Sequence, residues 1–163
     1  MLDRQRLREH HIEVSYLLGR FMIEHLIRVN QAFGGDLTAA VVLGVIAQYN
    51  VRRFYDEIAA RSSEGLHALV TKDAHRDFLR PCNAMSVSAS TGIPRETVRR
   101  KIAWLVEKGW IQKVGRDKLL VTSKTRQDFA DFDLEALERF YDAASRILPL
   151  LAPRAPGADA HRR

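Results

Sequence analysis

The sequence predicts a mostly α-helical chain with one small β-hairpin, and two observations support this. Apolar residues recur at three- and four-residue intervals in the N-terminal part and again near the C-terminus, which is the spacing of amphipathic helices. The stretch 83–122 combines two short helical patterns, a glycine turn between them, and two apolar segments around a Gly-Arg-Asp loop. With 46% hydrophobic residues in a chain of 163, a packed core is expected.

The N-terminal region, 1–65, is predicted to consist of two long helices that serve assembly or sensing. The first runs from about 3 to 30 and ends at Gly34-Gly35. Asp36 can cap a second helix from about 37 to 61. Its part from 37 to 47 is apolar on almost every side and is expected to be buried. That run is too short to cross a membrane, which takes about 20 apolar residues.

The regions on either side of the central stretch are assigned from weaker signals. The connection 66–82 is expected to hold a loop and one short helix over 72–79, capped by Thr71. A C-terminal helical region is expected over 128–151, with Asp133 as its cap and Pro149 as its end. The tail 152–163 has no apolar periodicity and is expected to be disordered.

The central stretch has a marked start and end for each helix. Asn83 is a suitable N-cap for a helix over about 84–91, and Gly92 supplies the freedom that a sharp turn requires. Pro94 stands at the threshold of a second helix, 95–108, which stops at Gly109. On this second helix Val98, Ile102, Leu105 and Val106 share one apolar stripe, which we expect to face the first helix.

A hairpin is predicted directly after the second helix. Residues 111–114 and 118–121 are short apolar or alternating segments around Gly115-Arg116-Asp117. Helix, turn, helix and hairpin, in that order, make a winged helix-turn-helix, which we assign to 83–127. The predicted fold class is therefore mostly α, a winged helix-turn-helix with a small hairpin wing and long N-terminal and C-terminal helices.

The segment TGIPRETVRRKIAWLVEKGWI, residues 91–111, resembles the helix-turn-helix core of bacterial winged-helix transcriptional regulators of the MarR and IclR kind. In that family the segment corresponding to 95–108 is the recognition helix, and 109–111 leads into the wing. The resemblance implies a regulator that binds double-stranded DNA. It also implies a homodimer, since such regulators usually bind inverted-repeat sites as dimers.

The predicted DNA-binding residues lie opposite the apolar stripe and on the wing. They are Arg95, Glu96, Thr97, Arg99 and Arg100 on the helix, with Arg116 and Lys118 on the hairpin. Glu96 and Arg99 point most directly away from the stripe, so at least one of them should meet base edges, with Arg99 expected on a guanine. Arg95 and Arg100 are expected on phosphates. The wing cations are expected on phosphates or in the minor groove.

Composition agrees with this assignment. The net charge of +6 favours an anionic partner such as nucleic acid. The single cysteine, Cys82, fits a reducing compartment, and no charged-then-apolar leader opens the chain, so a cytoplasmic protein is expected. No phosphate loop, nucleophile elbow or compact metal-ligand spacing is found, so we expect no enzyme, cofactor or metal. His11 and His25 lie on or beside an apolar stripe and are expected to pack.

Several alternatives stay open. The basic helix face can be a solvated surface, the module can dock another protein, or it can bind double-stranded RNA. Surplus apolar surface on the first and C-terminal helices favours a homodimer. A small-molecule effector is a weaker hypothesis, because it depends on four polar residues expected near an apolar interior: Tyr16, His25, Gln48 and Tyr49. Isolated Trp104 and Trp110 are expected to pack at the edge of the module rather than to stack on bases.

Overall fold

The computed structural model describes residues 3–58 and 79–153. In chain order the elements are α1 Arg4–Glu9, α2 His11–Ala32, α3 Leu37–Ile58, α4 Ala84–Thr91, α5 Arg95–Glu107, β1 Ile111–Val114, β2 Lys118–Val121 and α6 Ser123–Leu151. The described chain is mostly helical, and its two strands form one small antiparallel sheet. The helix predicted at 72–79, except for its last residue, and the tail from 154 onward lie outside the described residues.

The chain divides into two compact units. One consists of Met1–Gln31 with Ala130–Arg163, and the other is Ala32–Phe129. The helix after Gly34-Gly35 is predicted to belong to the N-terminal region, 1–65. In the structure this helix, α3, belongs to the same unit as α4, α5 and the hairpin.

In the first unit α2 and α6 run antiparallel. The rings of Phe21 and Phe140 meet edge to face with their centroids 5.7 Å apart. Further along α2, Arg28 forms an ion pair with Glu135 at 2.6 Å. Residue numbers rise on α2 as they fall on α6, so the two helices have opposite directions.

The single N-terminal helix predicted over 3–30 is wrong, because it is broken at His10. Asp3 caps α1 by accepting hydrogen bonds from the amides of Gln5 and Arg6. His10 leaves the helical region, with φ −108° and ψ 12°, and α2 begins at the next residue. The apolar periodicity of the sequence continues across this one-residue break, so the periodicity does not reveal the break.

The C-terminal helix also differs from its prediction. It starts at Ser123, well before Asp133, and continues through Pro149 to Leu151. The Thr122 hydroxyl accepts from the Thr125 amide at 3.4 Å and donates to the Gly109 carbonyl at 2.6 Å, which fixes the start. Asp133 is therefore a residue inside the helix and not its cap. Pro149 lies in the last turn and has no N–H to donate within the helix, and α6 ends two residues later.

The second unit is built around α3, which packs against α4, α5 and β2. Asp36 caps α3 as predicted, with its Oδ1 accepting from the Ala39 amide at 2.9 Å. The buried apolar residues of the helix are Ala39, Val42, Leu43 and Ile46. Burial on almost every side is not found, since Leu37 and Val41 are exposed.

The helix pair beside α3 forms as the sequence predicts. Asn83 caps α4 by accepting from the Ser86 amide at 2.9 Å. Gly92 ends that helix with φ +71°, a left-handed conformation that favours glycine. Three residues later α5 begins, and its Val98, Ile102 and Leu105 are buried.

The hairpin pairs Ile111 with Val121 and Lys113 with Leu119. On the other edge of β2, Leu119 exchanges backbone hydrogen bonds with Cys82, at 2.8 Å and 3.3 Å. The segment before α4 is thereby joined to the hairpin. Burial raises the pKa of the Cys82 thiol to about 11, so this thiol is protonated at neutral pH.

No single helix among the described residues is long and apolar enough to cross a membrane. By length and composition alone, α2 and the part of α3 up to Arg52 pass the same test when they are taken together as a broken pair.

Candidate nucleic-acid interface

The outward face of α5 carries the predicted helix residues. Burial of Val98, Ile102 and Leu105 turns the opposite side of the helix to solvent. Arg95, Glu96, Arg99 and Arg100 are exposed there, and Thr97 is half-buried. The Arg99 guanidinium lies 3.8 Å from the Glu96 carboxylate, and both side chains are mostly solvated, so the pair constrains neither residue strongly.

A groove of about 340 Å³ lies between α5 and the hairpin. Its basic residues are Arg95 and Arg99 from the helix and Lys113 and Arg116 from the hairpin, with Asp117 as the one carboxylate among the lining residues. Ile102 and Leu119 contribute apolar lining, and Asn83 and Met85 contribute from the start of α4. Cations from two different elements therefore face one concave surface, which raises the local positive potential.

Lys113 is a groove residue that the sequence analysis missed. Side chains alternate along a strand, so Lys113 shares the face of β1 that holds the buried Ile111. Its cross-strand partner is the buried Leu119. Lys113 follows Ile111 by two residues in the sequence. This spacing predicts that both side chains lie on the same face of the strand, the face directed towards α5.

The predicted wing residue Lys118 does not line the groove, whereas Arg116 does. Lys118 directly precedes the buried Leu119, so on an alternating strand it belongs to the opposite face of the hairpin. The seven predicted residues therefore separate. Arg95, Arg99 and Arg116 come together in the groove, and Glu96, Thr97, Arg100 and Lys118 lie outside its lining.

A half-buried ion pair joins α5 to the start of α3. The Lys101 ammonium lies 2.5 Å from Oδ2 of Asp36, the residue that caps α3. Partial burial opposes ionisation of this carboxyl, but the hydrogen bonds from Lys101 and from the Ala39 amide outweigh it. The charges of Lys101 and Arg100 act in the same direction, and the pKa of Asp36 is lowered. Arg100 is exposed and lies outside the lining of the groove, and its charge has the smallest of these effects on the pKa of Asp36.

The two tryptophans pack, as predicted. Trp110 contacts Trp104, Phe33 and Phe129, with ring centroids 5.0–5.7 Å apart. Its indole N–H donates to the Asp128 carboxylate at 2.7 Å. These rings hold the start of the hairpin to the helices and are not presented as a free stacking surface.

The residues proposed for an effector pocket are not buried together. Tyr16 and Gln48 are exposed, contrary to expectation, because they lie off the buried sides of α2 and α3. His25 packs between the rings of Phe21 and Phe132, and its Nδ1 is buried without a hydrogen-bond partner. His11, also expected to pack, is exposed and bonds to the Arg8 carbonyl.

Within the described ranges no group of three or more His, Cys, Asp or Glu side chains is arranged to hold a metal ion. Comparison of the chain with models of known protein families, with curated proteins and with solved structures gives no significant match.

Proposed function

We propose that this chain is a sequence-specific transcriptional regulator that binds duplex DNA through a winged helix-turn-helix. The observation that carries the proposal is the groove in which Arg95 and Arg99 of α5 face Lys113 and Arg116 of the hairpin. A strand of the duplex is a regular row of phosphates, and a concave surface with cations on both walls matches it.

The order and packing of the second unit support a winged-helix assignment. Helix α3 contacts both α4 and α5, and the hairpin follows α5 directly. The Cys82–Leu119 bridge adds a short third strand segment at the edge of β2. Helix α5 has 13 residues, or about 20 Å of length, and its exposed face can enter the major groove.

In this proposal the helix reads sequence and the hairpin adds affinity. Arg99, near the middle of the exposed face, is assigned to a guanine edge, and Glu96 beside it is the alternative base contact. Arg95, Lys113 and Arg116 are assigned to phosphates. Thr97 and Arg100 contribute from the rims of the helix face.

A second copy of the chain is the proposed protein partner. The first unit leaves large apolar side chains in solvent, including Ile12, Ile23 and Ile27 on α2 and Leu134, Leu137 and Tyr141 on α6. Their exposed fractions are 52–75%. Apolar surface of this extent marks an interaction site. A two-fold dimer would cover it and could place two recognition helices about 34 Å apart, one turn of DNA.

The proposal is tested by selecting bound fragments from a random duplex DNA pool with the purified chain. We expect an enriched motif, and affinity for it that falls steeply as salt rises. An equal-length RNA duplex is the competitor that separates DNA from RNA binding. No enrichment, or binding that salt leaves unchanged, would contradict DNA binding and favour the alternative of a protein-docking module.

A further inference from the structure

Asn50, on α3, is a fully buried polar residue whose side-chain amide forms hydrogen bonds through both its nitrogen and its oxygen. Its Nδ2 donates to the carbonyls of Arg80 and Leu119, at 2.7 Å and 3.1 Å. Its Oδ1 accepts from the Val121 amide at 2.8 Å. The Asn50 backbone carbonyl accepts in addition from the Arg80 amide at 3.0 Å.

These bonds join three separate parts of the second unit. Asn50 belongs to α3, Arg80 to the segment before α4, and Leu119 and Val121 to β2 of the hairpin. Both β2 partners are backbone groups, so the bonds depend on where the strand lies and not on its side chains. A buried amide without partners is costly, so the position of β2 is constrained by the need to satisfy Asn50.

From this arrangement we infer that Asn50 is a positioning residue that fixes the hairpin beside α5. The inference rests on the proposed DNA-binding function. Leu119 accepts from Asn50 and pairs across the hairpin with Lys113, and Lys113 lines the groove. Through this short path Asn50 sets how Lys113 and Arg116 face Arg95 and Arg99.

Loss of the Asn50 anchor is expected to affect one part of DNA binding. Without it the hairpin cations no longer have a fixed distance to α5, and contacts to phosphate on the hairpin side weaken. Contacts made by α5 alone persist. The loss therefore belongs to the electrostatic, sequence-independent part of the affinity.

The test compares Asn50→Leu in two backgrounds, the natural chain and the Lys113→Ala/Arg116→Ala double variant. Asn50→Leu keeps the number and branching of the side-chain heavy atoms and removes the hydrogen bonds of the amide to Arg80, Leu119 and Val121. The Arg80 carbonyl and the Val121 amide lose the bond from this side chain, and the Leu119 carbonyl keeps its bond from the Cys82 amide. In the natural background we expect about a tenfold loss of affinity for the selected site and a salt slope lower by about one to two units. In the double variant the same substitution should cost less than about twofold, because the contacts it acts through are already gone.

A matched control separates positioning from general stability. Val42→Ala also removes buried contacts from α3 but no hydrogen bond to the hairpin. It should lower the thermal midpoint and leave the salt slope unchanged. Asn50→Ser, which is smaller and has one hydroxyl in place of the amide, is the second variant if Asn50→Leu does not fold, and it should show the same non-additivity.

Equal losses in both backgrounds, or the same change of salt slope in Val42→Ala, would overturn the inference while leaving DNA binding intact. If the natural chain binds no duplex, the proposed function fails separately. In that case hydrogen exchange of the free protein tests whether Asn50 anchors the hairpin. Faster exchange of the β2 amides in the Asn50 variants than in Val42→Ala supports the anchor, and equal exchange contradicts it.

Discussion

The Lys101 ammonium on α5 contacts Oδ2 of Asp36, while Oδ1 of the same carboxylate accepts from the Ala39 amide and caps α3. One carboxylate therefore starts the central helix of the second unit and ties it to the helix that carries Arg95 and Arg99. Both side chains of the pair are less than one-third exposed. Screening by water is accordingly weaker than for the exposed ion pair of Arg99 with Glu96 on the same helix.

This contact predicts a pH-dependent contribution to stability. The pKa of Asp36 is lowered in the folded chain, so the ionised carboxylate favours folding at neutral pH, and that contribution is lost as pH falls through the folded-state pKa. Asp36→Asn keeps a capping oxygen and removes the charge. It should cost about 0.5–1 kcal/mol at pH 7 and progressively less as the pH is lowered below about 4. Urea unfolding at each pH measures the difference.

Lys101→Met is the partner variant for this experiment. In a Lys101→Met background the Asp36→Asn substitution should lose most of its effect at pH 7, since the ion pair is already absent. A stability difference that stays constant from pH 7 to pH 3 would show that the Asp36 charge contributes nothing.

Two glycines, Gly92 after α4 and Gly44 inside α3, are predicted to respond in opposite directions to substitution by alanine. Gly92 has φ +71°, and a Cβ there would meet no atom within 4 Å, so Gly92→Ala is penalised by conformation alone, by about 1 kcal/mol. Gly44 lies inside α3 with the same open space around it. Gly44→Ala should stabilise the chain by about 0.5–1 kcal/mol. Thermal unfolding of both variants measures the two changes in stability. If both substitutions stabilise the chain, or both destabilise it, the assigned backbone conformations are contradicted.

The helix-turn-helix and hairpin bounds could be predicted because their signals are local. Asn83, Gly92 and Pro94 each fix a helix end through their own backbone or side chain, within a few residues of the end they mark. The hairpin strands are likewise bounded by the Gly115-Arg116-Asp117 loop, and both strands begin and end where the sequence predicts.

The features that sequence analysis missed depend on distant partners. The start of α6 is set by Thr122, whose hydroxyl contacts the carbonyl of Gly109 13 residues earlier. Asn50 reads as one polar residue in a helix, and its partner Val121 is 71 positions away. The membership of Lys113 in the groove likewise depends on how the hairpin packs on α5. No local pattern gives the first two relationships. For Lys113 the alternation along the strand indicates that it shares a face with Ile111, but not that this face lines a groove.

The hairpin cations should differ in their contribution to DNA binding. Lys113 and Arg116 line the groove and Lys118 does not, so Lys113→Ala and Arg116→Ala should each lower the salt slope by about one unit. The loss should be similar for all DNA sequences, because phosphates carry no sequence information. Lys118→Ala removes the same charge from the same hairpin and is the matched control. A Lys118 effect equal to that of Lys113 would assign the binding to net charge and not to the groove.

The exposed apolar side chains of α6 predict a dimer that one substitution can dissociate. Leu137 is 63% exposed in the chain. A carboxylate at this position would have to be desolvated in an interface, whereas in a monomer it would stay in water. Leu137→Asp should shift micromolar protein from dimer to monomer in sedimentation and leave the helical circular dichroism unchanged. Glu138→Gln changes one charge at the next residue and should stay dimeric. A natural chain that sediments as a monomer at all micromolar concentrations would contradict the dimer.

The arginines of α5 give the most direct test of DNA reading, because their positions differ. Arg95 and Arg99 line the groove, and Arg100 lies outside it. If Arg99 reads a guanine, Arg99→Ala should cost about 1–3 kcal/mol and relax preference at one base pair in each half-site. Arg95→Ala should weaken binding to all sites alike, as expected for a phosphate contact, and Arg100→Ala should have the smallest effect of the three. Affinities for a library of sites at fixed salt, with circular dichroism to check folding, separate these outcomes. If all three variants keep the natural affinity and sequence preference, the basic face of α5 is a solvated surface and another part of the chain must be sought for any DNA contact.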